Sequence, residues 1–300
     1  MTEKTKRYYY TIEKDDENNT IKELLKTRLG VSSRLIRKLK IENSVCLNGI
    51  PIKMYEKGKK GDQITFFMPE EISEFPSEHI PLDIIYEDSD LLGINKQPGY
   101  VVHPTKGHPC HTIANGIMWH MLEQGDSYKI RFINRLDMDT SGVLLVGKNS
   151  YCQHDFFKQT EKGKVVKKYI AIVKGIIEEE RGTIDLPIGK PIDGDIHRAV
   201  IPDGYPSITH FRVMERFNKE YTLIELTLET GRTHQIRVHM AHLGYPIVGD
   251  NLYGNDEVTL IERHALHAVQ LDFNHPITNK RISLKAPLPS DILGLLYKLR

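Results

Sequence analysis

Residues 134–146 read NRLDMDTSGVLLV, in which a polar loop leads directly into a short apolar run. The apolar residues 143–146 predict a buried strand. The loop before them carries Asp137 beside a cation and small hydroxyl residues. Loops held by a rigid scaffold carry a large share of catalytic and binding residues. Asp137 is therefore a candidate nucleophile, base or metal ligand, and its partners must decide between these roles.

One downstream segment could supply a cationic partner. Residues 228–243 read LETGRTHQIRVHMAHL. Thr233 is a candidate N-cap, and Ile236 and Met240 then recur at helical spacing. Arg237 lies next to this apolar seam, so its stem could follow the buried side while its guanidinium reaches a pocket. A surface helix rich in cations fits the same residues equally well.

A second segment could supply an aromatic partner. Residues 167–173 read KKYIAIV, and their β-branched content predicts a strand with Tyr169 near its start. An isolated tyrosine on a strand is usually a core residue with a solvated hydroxyl. The pattern alone therefore assigns Tyr169 no function.

Together these segments resemble the RluA family of RNA pseudouridine synthases. That family carries an HRLDxxTSG motif, a KxYxA strand and a GRTHQIRVH segment, in this order. The corresponding residues here are 134–142, 167–171 and 231–239, with further matches at 85–92 (IYEDSDLL), 95–99 (NKQPG), 102–104 (VHP) and 244–250 (GYPIVGD).

The resemblance extends over most of residues 81–300, with one departure in the first motif. Asn134 stands where the family usually has His. The Arg-Leu-Asp core after it is intact. We therefore expect Asn134 to support the loop and the function to be kept.

The resemblance implies that the protein isomerises uridine to pseudouridine in RNA, a reaction that has no net redox change and needs no cofactor. Asp137 would be the catalytic carboxylate, for which both a nucleophilic and a basic role require the ionised form. Arg237 would keep it ionised, since a nearby guanidinium favours a charged carboxylate, and Arg232 is the second choice. Tyr169 would stack on the target base, which must leave its helix. Whether Asp137 attacks the ribose or the uracil, or abstracts a sugar proton, stays open.

Other motif residues are expected to contact the substrate or its loop. Arg135 would fill the space left by the extruded base or hold the RNA, although a salt bridge with Asp139 fits it too. Thr140 and Ser141 are expected to form hydrogen bonds in the loop. The predicted substrate-binding residues are Arg135, Thr140, Arg232, Asn95 and Lys96.

The length and composition are those of one large or two smaller globular domains. No apolar run approaches the roughly 18 residues that a membrane helix needs, and the polar N-terminus has no signal-peptide core. The three cysteines are far apart and fit a reducing compartment. We therefore expect a cytoplasmic protein without membrane contact. The sequence does not specify the oligomeric state, and a monomer is favoured.

The net charge of +1 conceals a basic segment at residues 20–60, which holds eleven Lys/Arg and three acids. Its charge of +8 leaves −7 for the remainder and predicts a polyanionic partner. A solvated lysine-rich surface is an equal alternative. The segment predicts a helix with a Thr20–Glu23 capping box, a second helix capped by Ser32 or Ser33, and a hairpin at Asn48-Gly49. This pattern is similar to the small alpha-L RNA-binding domain of a ribosomal protein, and its predicted RNA-binding residues are Arg34, Arg37, Lys38 and Lys40.

An acidic, proline-bearing stretch at residues 69–78 predicts a linker. The expected domains are an alpha-L-type RNA-binding domain at 1–75 and a pseudouridine synthase catalytic domain at 76–300. The expected fold class is α+β, with a mixed, mostly antiparallel central sheet flanked by helices and a small N-terminal α/β domain. Strands are predicted at 83–86, 91–95, 143–147, 168–173, 207–215 and 221–228, and helices at 111–123, 150–160 and 234–243.

Three other functions remain open on the sequence. A glycoside hydrolase could use Asp137 and Asp139, whose carboxyls would lie about 6–7 Å apart on an extended strand, but the aromatic content is low for a sugar cleft. The histidines at 103–111 and 234–242 could suggest a metal site, but they lack an HExxH or CxxC framework, so no metal is expected. An RNA-binding factor with an inactive synthase domain is the non-enzymatic alternative, against which the intact motifs argue.

The expected partner is structured RNA. The basic N-terminal domain favours ribosomal RNA, and transfer RNA is the alternative. The amino-acid sequence does not indicate which uridine is modified, because RNA is recognised by folded shape and loops as much as by base sequence.

Overall fold

The computed structural model describes residues 7–192, 196–254 and 260–300, so the first six residues of the expected N-terminal domain lie outside it. The N-terminal unit is a four-stranded antiparallel sheet with two helices, in the strand order β1-β4-β2-β3. Its elements are β1 (Arg7–Thr11), a 3₁₀ turn (Lys14–Asp16), α1 (Ile21–Thr27), α2 (Ser33–Ile41), β2 (Val45–Leu47), β3 (Ile50–Pro51) and β4 (Gln63–Phe67).

Local signals set the ends of these elements. The Thr20 and Glu23 side chains each accept a hydrogen bond from the other residue's backbone, which confirms the capping box of α1. Ser32 accepts from the Leu35 amide and begins α2. Asn48 and Gly49 both have positive φ, as the tight turn between β2 and β3 requires.

The larger unit is built on a ten-stranded sheet. Eight of its strands follow the order β10-β13-β14-β9-β15-β8-β6-β5, and the other two are β16, which pairs with β15, and β7, which pairs with β8. Its elements are β5 (Asp83–Glu87), β6 (Leu91–Lys96), α3 (Ile113–Gln124), β7 (Arg131–Phe132), β8 (Ser141–Gly147), α4 (Ser150–Glu161), β9 (Val166–Lys174), β10 (Arg181–Asp185), β11 (Ile188–Gly189), β12 (Ala199–Val200), β13 (Ile208–Phe217), β14 (Tyr221–Leu228), α5 (Gln235–His242), β15 (Leu266–Asn274), β16 (Arg281–Lys285) and α6 (Ser290–Leu299).

The pairing confirms the expected α+β class with a mostly antiparallel sheet, since only β8 and β15 pair in parallel within the described ranges. The predicted elements do not include β15, which lies at the centre of the sheet between β9 and β8. Polar residues interrupt its sequence, LHAVQLDFN, so its strand character depends on partners that are remote in the chain. Helix α6 was not predicted either.

The N-terminal unit packs on the larger unit through a buried polar cluster and a shared apolar core. Tyr8 and Asn149 both donate to Asp90, at 2.5 and 2.7 Å. The Tyr151 hydroxyl donates to the Leu29 carbonyl at 2.6 Å. Phe66 of β4 belongs to the same buried cluster as strand residues of the larger unit. Helix α2 is therefore held in a defined position relative to the central sheet.

Within the described residues, none of the helices combines the length and the apolar character needed to cross a membrane.

Candidate active site

The loop between β7 and β8 presents Asp137, whose side chain is 26% exposed. Its carbonyl accepts from the Thr140 amide at 3.1 Å, which closes a tight turn. Gly142 follows with φ of +109°, and a Cβ there would come within 2.7 Å of three backbone atoms of Ala268. Glycine is required because β8 and β15 approach closely at this residue. The close approach of β15 to Gly142 thus fixes the end of the loop between β7 and β8.

Lys96 supports this loop through hydrogen bonds to backbone carbonyls. Its Nζ donates to the carbonyls of Met138 (2.7 Å), Thr140 (2.9 Å) and Gln97 (3.0 Å). Burial lowers the pKa of Lys96 to about 7, and the charge of Asp139 opposes this shift. We expected Lys96 to line the cleft and bind substrate. Because its side chain is fully buried, it positions the backbone of the loop instead.

Thr140 and Ser141 are also buried in contacts within the protein. The Thr140 hydroxyl lies 2.7 Å from His264 Nε2, and the Ser141 hydroxyl lies 2.9 Å from His267 Nδ1. Arg263 donates to the Asp139 carbonyl at 2.8 Å. The expectation that Thr140 binds substrate is therefore corrected, since only 2% of this residue is exposed and its hydroxyl fastens the loop.

Asn134 braces the start of the same loop. Its side-chain amide donates to the Val143 carbonyl at 2.9 Å and accepts from the Leu145 amide at 2.7 Å. It therefore pairs with β8 as a neighbouring strand would. This agrees with the expected supporting role for Asn134.

Arg237 on α5 carries the positive charge beside Asp137. Its Nη1 donates to Asp137 Oδ2 at 3.2 Å. Its Nε and Nη2 donate to both carboxylate oxygens of Asp250, at 2.7 and 2.8 Å. The guanidinium also lies 5.1 Å from the centre of the Tyr253 ring. The hydrogen bonds from Nε and Nη2 to Asp250 therefore fix the orientation of the guanidinium, and Nη1 faces Asp137.

Charge compensation stabilises this buried cluster. Burial by itself would lower the pKa of Arg237, but hydrogen bonds and charge from Asp250 and Asp137 hold that pKa above its ordinary value. Burial would raise the pKa of Asp250, and the Arg237 guanidinium reverses this and lowers it. Asp250 ends the family match at residues 244–250, but the sequence alone assigned it no role. Its acidic character next to a glycine was the only available signal.

Helix α5 begins differently from the expectation. Thr233 is not the N-cap, because the helix starts at Gln235 and His234 occupies the cap position with a left-handed backbone. The Gln235 side chain braces this entry, where it accepts from Thr230 Oγ1 and the Arg232 amide and donates to Ile208 and Thr209. The helix therefore begins without a side-chain cap, and the buried Gln235 side chain ties its first residue to the preceding loop and to β13.

Tyr169 on β9 is almost fully buried and close enough to Asp137 for the two to interact electrostatically. Burial, with a further contribution from the negative charge of Asp137, raises the pKa of the Tyr169 phenol above its ordinary value. The phenol is therefore protonated at neutral pH. It is suited to contact a base through its ring, and it is a poor proton acceptor.

Two predicted substrate-binding residues, Arg232 and Asn95, contact partners outside the Asp137–Arg237 pair, and a third, Arg135, is exposed in the loop of Asp137. Arg232 lies 5.4 Å from the centre of the Tyr205 ring and donates to the Pro206 carbonyl, so it is not the partner of Asp137. Asn95 donates to Asp83 on the neighbouring strand at 2.8 Å. Arg135 is exposed, and the alternative salt bridge with Asp139 is not formed in the described part of the chain.

The predicted RNA-binding face is largely open. Arg34, Arg37 and Lys40 on α2 are exposed. Lys38 is half-buried and lies 3.6 Å from Glu71. Three of the four cations are thus available to a polyanion.

Asp139 lines a separate cavity with Arg263 and Asp291, and Asp137 is not among the lining residues. Across residues 7–192, 196–254 and 260–300, no three His, Cys, Asp or Glu side chains are grouped so as to hold a metal ion.

Asp250→Asn is expected to lower the free energy of unfolding by about 3 kcal/mol at pH 7, because it removes one charge of a buried ion pair. The folded-state pKa of Asp250 is lowered, so its contribution is present above the unfolded value near ~3.9 and is lost as pH falls below it. Denaturant unfolding at pH 7, 5 and 3 measures the difference. A gap between wild type and variant that grows towards pH 3 would contradict this account.

Two family models match the chain. One, described as RNA pseudouridylate synthase, matches residues 90–242, and the other, described as RluD ribosomal pseudouridine synthase N-terminal domain, matches residues 8–64. The Bacillus subtilis protein named uncharacterized RNA pseudouridine synthase YlyB is 42% identical, with 86% of each chain covered. The Haemophilus influenzae protein named ribosomal large subunit pseudouridine synthase D is 38% identical, with 82% of this chain and 79% of that one covered. Among solved structures, human RNA pseudouridylate synthase domain containing 1 matches with a TM-score of 0.56 and 28% identity, over 71% of this chain and 85% of that one.

Proposed function

Because this chain belongs to the RNA pseudouridylate synthase family, we propose that it converts specific uridines of large-subunit ribosomal RNA into pseudouridine, with Asp137 as the catalytic carboxylate. The observation that carries the proposal is the contact of 3.2 Å between Arg237 and a carboxylate that is still 26% exposed. A carboxylate that is charged, held in place and open to a ligand can act as a nucleophile or as a base.

The residues around Asp137 divide the work of the reaction. The bond between uracil N1 and ribose C1′ breaks, the base turns, a bond forms between C5 and C1′, the C5 proton leaves, and N1 takes up a proton. Arg237 donates a hydrogen bond to Asp137 and places its positive charge beside that carboxylate, and Lys96 binds the backbone of the loop. Tyr169 provides a ring on which the extruded base stacks. Its protonated phenol leaves the C5 proton to another acceptor.

The substrate assignment rests on two observations. Several relatives at 37–39% identity are named ribosomal large subunit pseudouridine synthase D. The N-terminal unit carries exposed cations on α2, as a phosphate-binding surface does. We keep the domain boundary near residue 75 and a monomeric, cytoplasmic enzyme as parts of this proposal. Transfer RNA is the alternative substrate.

Mapping of pseudouridine in cells with and without this protein tests the assignment. Loss of specific sites in large-subunit RNA, restored by wild type and not by Asp137→Asn, is the expected result. Loss confined to transfer RNA would shift the substrate to the alternative. Unchanged sites in both RNA classes, together with RNA binding but no tritium release from carbon-5-labelled RNA, would make the protein an RNA-binding factor.

Replacement of Arg34, Arg37 and Lys40 together by Gln is expected to weaken RNA binding and reduce its salt dependence. If each cation neutralises one phosphate, the slope of log affinity against log salt should fall by roughly 0.7–0.9 per cation lost. Filter binding or fluorescence anisotropy at several salt concentrations measures this slope. Lys38→Gln is the matched control, with a smaller expected effect because Lys38 pairs with Glu71. A triple variant with the wild-type slope would refute the role of α2.

A further inference from the structure

His234 holds a backbone conformation that side chains rarely adopt. Its φ is +57° and its ψ is 19°, in the left-handed region, immediately before α5. Such a conformation costs on the order of 1 kcal/mol or more for a residue other than glycine and is concentrated at functional sites. His234 Nε2 lies 3.9 Å from Asp137 Oδ2. This distance is too long for a hydrogen bond, so the ring edge faces the catalytic carboxylate across a gap.

A hydrogen-bond chain sets the tautomer of the His234 ring. The Tyr253 hydroxyl accepts from the Arg198 amide at 2.9 Å and lies 2.8 Å from His234 Nδ1. Within the described residues, Nδ1 is the one acceptor in reach of the hydroxyl proton of Tyr253. If the Tyr253 hydroxyl donates to Nδ1, the neutral ring carries its proton on Nε2. The N–H donor of the ring points to the side of Asp137.

The surroundings of the ring favour its neutral form. Burial lowers the pKa of His234, the charge of Asp137 opposes this, and the guanidiniums of Arg237 and Arg198 add to the lowering. The side chain is still 16% exposed, so a ligand in the cleft can reach it. The ring is thus a neutral, fixed N–H donor at the edge of the cleft.

We propose that His234 is a further catalytic residue, which donates from Nε2–H to a carbonyl oxygen of the target uracil, and that Tyr253 is the positioning residue that fixes the required tautomer. When the N1–C1′ bond breaks, its electron pair stays with uracil, and negative charge spreads onto the carbonyl oxygens. The same step leaves ribose C1′ short of electrons, and Asp137 either adds to C1′ or removes a proton from the sugar. A pre-oriented donor stabilises the developing charge on the base.

The tautomer can be observed directly. Long-range ¹H–¹⁵N spectra of the protein labelled at histidine, with His234 assigned by its absence in His234→Gln, should show the proton on Nε2. In Tyr253→Phe the same ring should become a mixture of tautomers. A proton found on Nδ1 in the wild type would overturn the proposal.

The catalytic role is tested by variants that separate turnover from folding. His234→Gly removes the donor and relieves the left-handed backbone, so it should fold at least as stably as wild type. We expect its rate of tritium release at saturating RNA to fall about 10- to 100-fold, with RNA affinity unchanged. His234→Gln keeps an N–H donor and should recover part of the loss. A His234→Gly enzyme with the wild-type rate would refute the proposal.

Tyr253→Phe tests the link between the two residues. It keeps the ring that contacts Arg237 and removes only the hydroxyl. We expect a loss of about 5- to 10-fold in the wild type and no further loss in the His234→Gly background, as coupled residues behave. Equal losses in both backgrounds would show that Tyr253 acts independently of His234.

This inference rests on the proposed role of Asp137, and the two can fail separately. If Asp137→Asn is inactive and His234→Gly is fully active, only the role of His234 is lost. If both variants turn over at the wild-type rate, the whole site assignment fails.

Discussion

Asp137→Asn is expected to abolish pseudouridine formation, with a fall in the single-turnover rate of at least about 10⁴-fold. The amide has nearly the same volume, but it can act neither as a nucleophile nor as a base. The Arg237–Asp250 pair and the contacts of Lys96 do not involve the Asp137 carboxylate and should persist. RNA affinity should therefore be retained. Tritium release from carbon-5-labelled RNA measures turnover, and anisotropy measures binding.

The matched control is Asp139→Asn, which makes the same charge change two residues away in the same loop. Asp139 lines a cavity whose lining does not include Asp137, and its backbone carbonyl accepts from Arg263. We expect turnover within a fewfold of the wild type. If Asp139→Asn were as inactive as Asp137→Asn, a mechanism with paired carboxylates would have to be considered again, and an active Asp137→Asn would remove the central assignment.

Arg237→Met should have the second largest effect, with a fall in kcat of about 10³-fold and little change in KM, because Asp137 loses the charge that compensates it. The variant also leaves Asp250 buried without its partner, which should cost about 3–5 kcal/mol of unfolding free energy. The rate at saturating RNA and denaturant unfolding measure the two effects.

Two further variants separate these effects. The double variant Arg237→Met with Asp250→Asn removes the unpaired charge, so it should recover stability and not turnover. Arg232→Met changes an exposed cation of the same segment that stacks on Tyr205, and kcat should be nearly unchanged. An effect of Arg237→Met confined to RNA affinity would make Arg237 a phosphate contact.

Local patterns in the sequence were enough for much of the fold. The capping box at Thr20 and the serine cap at Ser32 depend on residues three positions apart, so they can be read directly. The apolar runs of β8 and β9 were predicted within two residues at each end. The motif residues Asp137 and Arg237 were paired before any geometry was known, because the family resemblance supplied the pairing.

Residues with two possible environments were harder to assign. Lys96 and Thr140 stand in a polar motif and were expected to face the substrate, but both are buried against the loop that they support. A polar side chain that satisfies backbone carbonyls looks the same in sequence as one that binds a ligand. Thr233 had the residue type of an N-cap, yet the helix begins two residues later, at Gln235, with no side-chain cap.

The sequence by itself determined the α+β character of the larger unit, because periodicity and caps are properties of nearby residues. Its motifs, taken in order, supplied the family resemblance that indicated the class of the protein and the carboxylate to which the chemistry is assigned. Only the tertiary structure decided that Asp250 orients Arg237, that the Tyr253 hydroxyl contacts Nδ1 of His234, and that β15 lies at the centre of the sheet. These depend on contacts between residues far apart in the chain, which form when burial makes each polar group find a partner.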